Sequence, residues 1–262
     1  MAGSWTVSPS TDWSPPPLLR FAMLLAEGAV RLLTRMEVTG DIPAALRGRP
    51  LILAANHISP FDPVAVAAAF RRLGVHPRIM ANAGLFRTPV IGPLMRWQGH
   101  IQVDRGEPTA GNAVTDSVTA LNGGAPLMIY PEGRIGLDPG MWPERGRTGV
   151  GRLVLATGAP VVPIAIWGSH EVIPYAAPTG MWPMIWQSLR HRPRVRVHVG
   201  PPVDLSGIDE ARPGAAQRIA DRIIDAIAAE LVPLRADEPD APRFTDPSRP
   251  TETRRARPRT AR

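Results

Sequence analysis

Chemistry in this sequence starts from His57 and Asp62 in the run Asn56-His57-Ile58-Ser59-Pro60-Phe61-Asp62, which follows the apolar segment Leu51 to Ala55 directly. If that segment is a buried strand, the polar run emerges at its C-terminal end, where open α/β sheets place their sites. A neutral imidazole can take a proton from a hydroxyl near physiological pH. A carboxylate on its other ring nitrogen fixes the tautomer and stabilises the imidazolium. His57 and Asp62 thus read as a general base and its orienter. They read equally well as helix punctuation, with Asp62 an N-cap ahead of an N1 proline, and spacing alone leaves both readings open.

Two further polar clusters close strand-like runs. In Ile101-Gln102-Val103-Asp104-Arg105-Gly106, the forked donors of Arg105 suit a phosphate, although a solvated Asp-Arg turn has the same sequence. Tyr130-Pro131-Glu132-Gly133-Arg134 repeats the theme with one acid, one Gly that permits close backbone approach, and one Arg. A fourth run, Val161-Val162-Pro163-Ile164-Ala165-Ile166-Trp167-Gly168, is apolar, and its interior Pro163 predicts an edge strand or a bulge.

These clusters need a scaffold of alternating strands and helices. Strands are expected over 51–55, 78–81, 100–103, 126–130, 161–166 and 194–199, with helices over 63–73, 109–121 and 149–157. Several strands are apolar without alternation, as in a parallel sheet covered on both faces, whereas Arg194 to Val199 alternates and reads as an edge. The expected fold class is α/β, a mixed, mostly parallel central sheet flanked by helices, preceded by an N-terminal amphipathic helix. That helix covers 18–36: Arg20, Glu27, Arg31 and Arg35 share one face, and residues such as Leu19, Phe21, Leu25 and Leu32 fill the rest. Its apolar side serves either the protein core or a lipid interface. The same alternative holds for Met181-Trp182-Pro183-Met184-Ile185-Trp186, which Arg190, His191 and Arg192 follow. A closing helix is expected over 215–231, where Ile219, Ile223, Ile227 and Leu231 recur every four residues before Pro233. The chain divides into a flexible leader (1–17), the amphipathic helix (18–36), one domain (37–234) and a disordered Arg- and Pro-rich tail (235–262).

Composition removes several classes of function. With 0 Cys among 262 residues there is no disulfide, thiolate metal site or cysteine nucleophile, and the 6 His show no ligand-like spacing, so no metal is expected. All 30 basic residues are Arg, which rules out a P-loop lysine, and no Gly-x-Gly-x-x-Gly opens a helix. Of the formal charge of +7, the tail from Arg235 holds +3, eight Arg against five acids. The body is therefore only mildly basic, which suits an anionic membrane or phosphorylated substrate and argues against a nucleic-acid partner. No window reaches the roughly 18 apolar residues of a spanning helix, so contact with a membrane is expected to be peripheral.

Taken in order, Asn-His-x4-Asp, Val-Asp-Arg-Gly, Tyr-Pro-Glu-Gly-Arg and Val-Pro-Ile-Ala-Ile resemble the four blocks of the glycerolipid acyltransferase family, in particular the bacterial 1-acylglycerol-3-phosphate acyltransferases. The resemblance covers roughly residues 50 to 205. It implies that His57 is the catalytic base, Asp62 its partner, and Asn56, Arg105, Glu132, Gly133 and Arg134 substrate-binding residues. The third block of the family usually reads Phe-Pro-Glu-Gly-Thr-Arg-Ser, so Arg134 stands one place early. Arg147-Thr148-Gly149 is similar to the family's basic residue-x-Gly element. The resemblance further implies transfer of an acyl group from acyl-CoA or acyl carrier protein, as co-substrate and without a cofactor, to the hydroxyl of lysophosphatidic acid. The setting is the cytoplasmic face of the cell membrane. With no Cys and no Gly-x-Ser-x-Gly elbow, a route without an acyl-enzyme is expected. Alternatives are another lyso-phospholipid or glycolipid acceptor, or a non-catalytic peripheral lipid-binding protein.

Overall fold

The computed structural model describes residues 13–103, 110–175, 181–238 and 249. Its strands are β1 (Arg35–Gly40), β2 (Ile52–Ala55), β3 (Arg78–Asn82), β4 (Ile101–Val103), β5 (Leu127–Ile129), β6 (Val161–Trp167) and β7 (Arg194–Val199). They form one sheet in the order β1-β7-β6-β2-β5-β3-β4. Neighbours run parallel except β6 with β7, so the mixed, mostly parallel sheet read from the sequence is the one that forms.

The helices are α1 (Pro17–Leu33), α2 (Asp62–Arg72), α3 (Ala83–Phe86), α4 (Ile91–Trp97), α5 (Ala110–Asn122), α6 (Thr148–Thr157), α7 (Met181–His191) and α8 (Ala215–Leu234). Successive strand residues face opposite sides, and the central strand β2 divides accordingly. Leu53 and Ala55 pack with Leu19 and Met23 of α1 and Val66 and Phe70 of α2. Ile52 and Ala54 pack on the other face with Leu153 of α6 and Ile219, Ile223 and Ile227 of α8. With both faces covered, all four residues of β2 are buried, and the loop that leaves it is held between two helical layers.

Three expectations need correction. Arg35 and Met36 do not extend the first helix; Thr34 is extended, and β1 pairs with a strand about 160 positions away that helical periodicity cannot register. Within the charged face of α1, Glu27 is buried and ion-paired with Arg31, Arg71 and Arg72. Burial alone would raise its carboxyl pKa, but the three guanidinium groups outweigh that and hold it below the ordinary value. Strand β7 is flanked on both sides, and the edges are β1 and β4; its alternation reports one polar face, where Arg196 pairs with Asp237 and His198 with Glu230 of the closing helix. Pro163 lies within an interior strand. Its carbonyl accepts from Gly200 N just beyond the end of β7, so the missing N–H faces the place where that neighbour has run out.

The closing helix keeps its expected stripe, with Ile219, Ile223, Ile227 and Leu231 buried, and it stops one residue after Pro233. The leader's residues 1–12 lie outside the described residues, as do 239–248 and 250–262 of the expected tail.

Candidate active site

The structure brings the two residues of the first motif into contact. Asp62 occupies the first turn of α2, yet its carboxylate turns back on the preceding loop instead of capping the helix. Its Oδ2 accepts from Ile58 N at 2.6 Å and Ser59 N at 2.8 Å, and lies 2.7 Å from His57 Nδ1. Its Oδ1 accepts from the Ser169 hydroxyl, at the end of β6. A fully buried carboxylate is tolerated only with its oxygens satisfied, and here four groups converge on it. With two backbone amides also donating to the same oxygen, His57 Nδ1 is assigned as the donor to Asp62, which in the neutral ring leaves the lone pair on Nε2.

The Nε2 atom has no partner among the described residues, and His57 lines a cavity of about 620 Å³. Tyr130 stacks on the imidazole, ring centroids 4.1 Å apart and 18° between planes, which fixes the ring's tilt. Burial first, and the Asp62 carboxylate second, push the Tyr130 phenol well above its ordinary pKa, so it stays protonated.

Behind His57, the residues of the first and third motifs form a brace. The Asn56 carboxamide spans β2 and β6, donating to Ile166 O at 2.9 Å and accepting from Ile166 N at 2.8 Å. Glu132 Oε1 accepts from His57 N at 3.0 Å and Oε2 from Glu144 N at 2.9 Å. Arg134 reaches Glu144 Oε2 at 2.9 Å. Asn56, Glu132 and Arg134, expected to bind substrate, all hydrogen-bond within the frame around the His57 loop, the first two almost fully buried. Gly133 does line the cavity, at φ +70°; a Cβ there would come 2.8 Å from Cδ of Arg147. The glycine lets the Arg147 side chain lie across the turn and into the cavity wall. Arg147, from the basic residue-x-Gly element, lines the cavity, whereas Arg134 turns to Glu144. Arg105 lies outside the described residues.

Most of the remaining wall is apolar, from Leu19, Met23, Phe70, Ile79, Leu94 and Met95 among others. Among the described residues no group of three or more His, Cys, Asp or Glu could hold a metal ion.

Sequence reasoning missed Ser169 and Arg249. Nothing local marks Ser169, which meets Asp62 across 107 positions. Arg249, within the expected tail, is buried and donates to Ile58 O at 2.5 Å and to Gly136 O, while Gly136 N donates to His57 O at 2.7 Å. It ties the catalytic loop to the loop after β5 without facing the cavity. Arg249→Ala leaves two buried carbonyls short of a charged donor, so kcat should fall about tenfold with KM little changed. Arg249→Lys should recover part of it. Steady-state kinetics on both variants check this, and a loss confined to KM would refute the positioning role.

A family sequence model described as Acyltransferase matches residues 35–167. An uncharacterized protein of Mycobacterium tuberculosis is 32% identical over 172 residues, which cover 60% of this chain and 42% of that protein. A chloroplastic 1-acyl-sn-glycerol-3-phosphate acyltransferase of Brassica napus is 27% identical over 126 residues, covering 48% and 35%. The chain spans less than half the length of either relative. Among solved structures, the 1-acyl-sn-glycerophosphate acyltransferase of Thermotoga maritima superposes with a TM-score of 0.62 at 19% identity, over 85% of this chain and 81% of that one. At that identity the likeness shows a shared fold.

Proposed function

Since the chain belongs to the acyltransferase family, we propose that it moves a fatty acyl group from acyl-CoA or acyl carrier protein to the free hydroxyl of lysophosphatidic acid, giving phosphatidic acid. One observation carries the reading: His57 is held by Asp62 through Nδ1 while it lines a cavity with a long apolar wall in which, among the described residues, Arg147 supplies a guanidinium. The apolar wall suits an acyl chain, and Arg147 suits a phosphate. The Arg147 guanidinium has no partner among the described residues. It stands at the start of α6, where no side chain caps the first turn and Gly149 and Val150 also line the cavity. A cation beside the positive end of a helix is a favourable seat for a phosphate monoester. The role proposed for Arg105 on the same phosphate rests on the motif alone.

His57 Nε2 takes the proton of the glycerol hydroxyl as that oxygen bonds to the thioester carbonyl carbon. When the tetrahedral intermediate collapses, the C–S bond breaks and the imidazolium returns the proton to the leaving thiolate. The route has no acyl-enzyme, since among the described residues no hydroxyl is hydrogen-bonded to His57 to serve as a nucleophile.

Access from a lipid surface is part of the proposal. Helix α1 packs one side on α2 and leaves Phe21, Leu25 and Leu32 exposed, while α7 leaves Trp182 and Trp186 exposed. Arg192, just past α7, donates to Arg31 O and Thr34 O and so fastens the two elements together. Exposed aromatic and aliphatic groups beside arginines suit the headgroup level of an anionic membrane. Among the described residues no helix is long and apolar enough to cross one.

The test supplies acyl thioester with a panel of lyso-lipids in vesicles and identifies the acylated product by mass spectrometry. Phosphatidic acid from lysophosphatidic acid is the expected product, and acylation solely of lipids without a terminal phosphate would redirect the reading to another acceptor. Arg147→Ala should raise KM for lysophosphatidic acid about 10–100-fold with kcat nearly kept, the worth of a charged hydrogen bond. An unchanged KM removes Arg147 from the phosphate site.

A further inference from the structure

The apolar cavity ends in polar groups that the reaction does not use. Gln98 and His100, on either side of the turn between α4 and β4, both line it. His100 precedes β4 and is level with Ile79 of β3, which is level with Met128 of β5 and so with Leu53 of β2. That places it three strands across from β2 and four residues short of His57 along it. In sheet geometry this is about 14 Å by about 13 Å, or about 19 Å between backbones, the span of a long acyl chain laid across the cavity.

The groups at this end are hydrogen-bond donors. Gln98 is 4% exposed, and its buried Nε2 has no partner among the described residues. His100 Nδ1 accepts from Ile79 N at 3.1 Å, which puts the ring proton on Nε2. Burial first, and the nearby Arg78 cation second, lower its pKa to about 4, so the ring is neutral under ordinary conditions. Arg78 crosses Gly99, whose φ of +74° and missing Cβ leave room for the guanidinium, and rests over Trp13 with its Nε unpartnered. No carboxylate pairs with Arg78 among the described residues. An alkyl chain ending here leaves these donors dry and unpaired, which disfavours it.

We propose that this end of the cavity is a specificity subsite for an oxygen on the acyl chain, a hydroxyl or keto group far from the thioester, received by the Gln98 amide and His100 Nε2–H. The amide torsion of a glutamine is broad, so its N–H reaches the lumen by rotation alone. The proposal rests on the acyl-transfer reading and adds the class of acyl group that the site selects.

Stearate and hydroxystearates carrying the hydroxyl at successive distal carbons are titrated into the full chain by calorimetry. Their coenzyme A thioesters are compared by kcat/KM with lysophosphatidic acid as acceptor. At least one isomer should bind and react about tenfold or more better than the plain chain, because a site built for a hydroxyl discriminates against the analogue that lacks it. Gln98→Leu and His100→Phe should each bring the ratio towards one; if either fails to fold, the other and the native comparison decide. Plain stearate matching every isomer, or a ratio that survives both substitutions, overturns the subsite. Calorimetric preference without transfer would sink the enzymatic reading alone, and transfer without preference the subsite alone.

Discussion

A purified His57→Ala variant is expected to fold as the native chain does and to lose acyl transfer by a factor of about 10²–10⁴, the usual contribution of a positioned general base. The loss follows from the site's composition. With the imidazole gone, no other described side chain near Asp62 offers a basic lone pair to the cavity: Glu132 is buried and accepts from backbone amides at both oxygens, and the Tyr130 phenol holds its proton. Stability should change little. His57 stands at the cavity wall, and Asp62 keeps the Ile58 and Ser59 amides and the Ser169 hydroxyl. The checks are turnover of an acyl thioester with lysophosphatidic acid and a thermal melt of the same preparation. Near-native turnover in a folded variant would remove His57 from the mechanism and leave a lipid-binding protein as the better reading.

What the sequence made legible was local. His57 and Asp62 were readable together because they stand only five residues apart, and the order of short apolar runs and helical stretches was enough for a covered, mostly parallel sheet. Partners distant in the chain left no such mark. Ser169 meets Asp62, Asn56 meets Ile166, and Arg249 meets Ile58, each across more than a hundred positions. Strand β1 was hidden for the same reason, since it needs β7 to exist as a strand. The short helices α3 and α4 carry Gly84 and Pro93 and too few turns for a periodic signal, yet they supply Leu85, Ile91, Leu94 and Met95 to the cavity. The identities of Glu132 and Arg134 were informative and their expected contacts were not. In a loop one residue shorter than the usual motif, direction depends on which acid or amide is nearest, and here that is Glu144 and the His57 backbone.

In the proposed mechanism Asp62 serves both the chemistry and the fold of its loop, and two substitutions should separate these roles. In Asp62→Asn, the Ile58 and Ser59 amides both donate to one oxygen, so they orient the new carboxamide with its carbonyl towards them and towards His57. The amide then faces Ser169, whose hydroxyl can turn to accept. The hydrogen-bond pattern and the His57 tautomer survive, and only the charge is lost. The imidazolium formed during proton transfer then lacks its buried counter-charge 2.7 Å away, and kcat should fall about 10²–10³-fold with a nearly native melting temperature. Asp62→Ala loses the acceptor as well. Two backbone amides, a hydroxyl and the imidazole N–H are left in a fully buried site, for a destabilisation of about 3–5 kcal/mol. Kinetics and thermal melts of the two proteins side by side distinguish the roles. If Asp62→Asn turned over at the native rate, the carboxylate's charge would play no part in catalysis, and Asp62 would be a loop fastener that happens to touch the base.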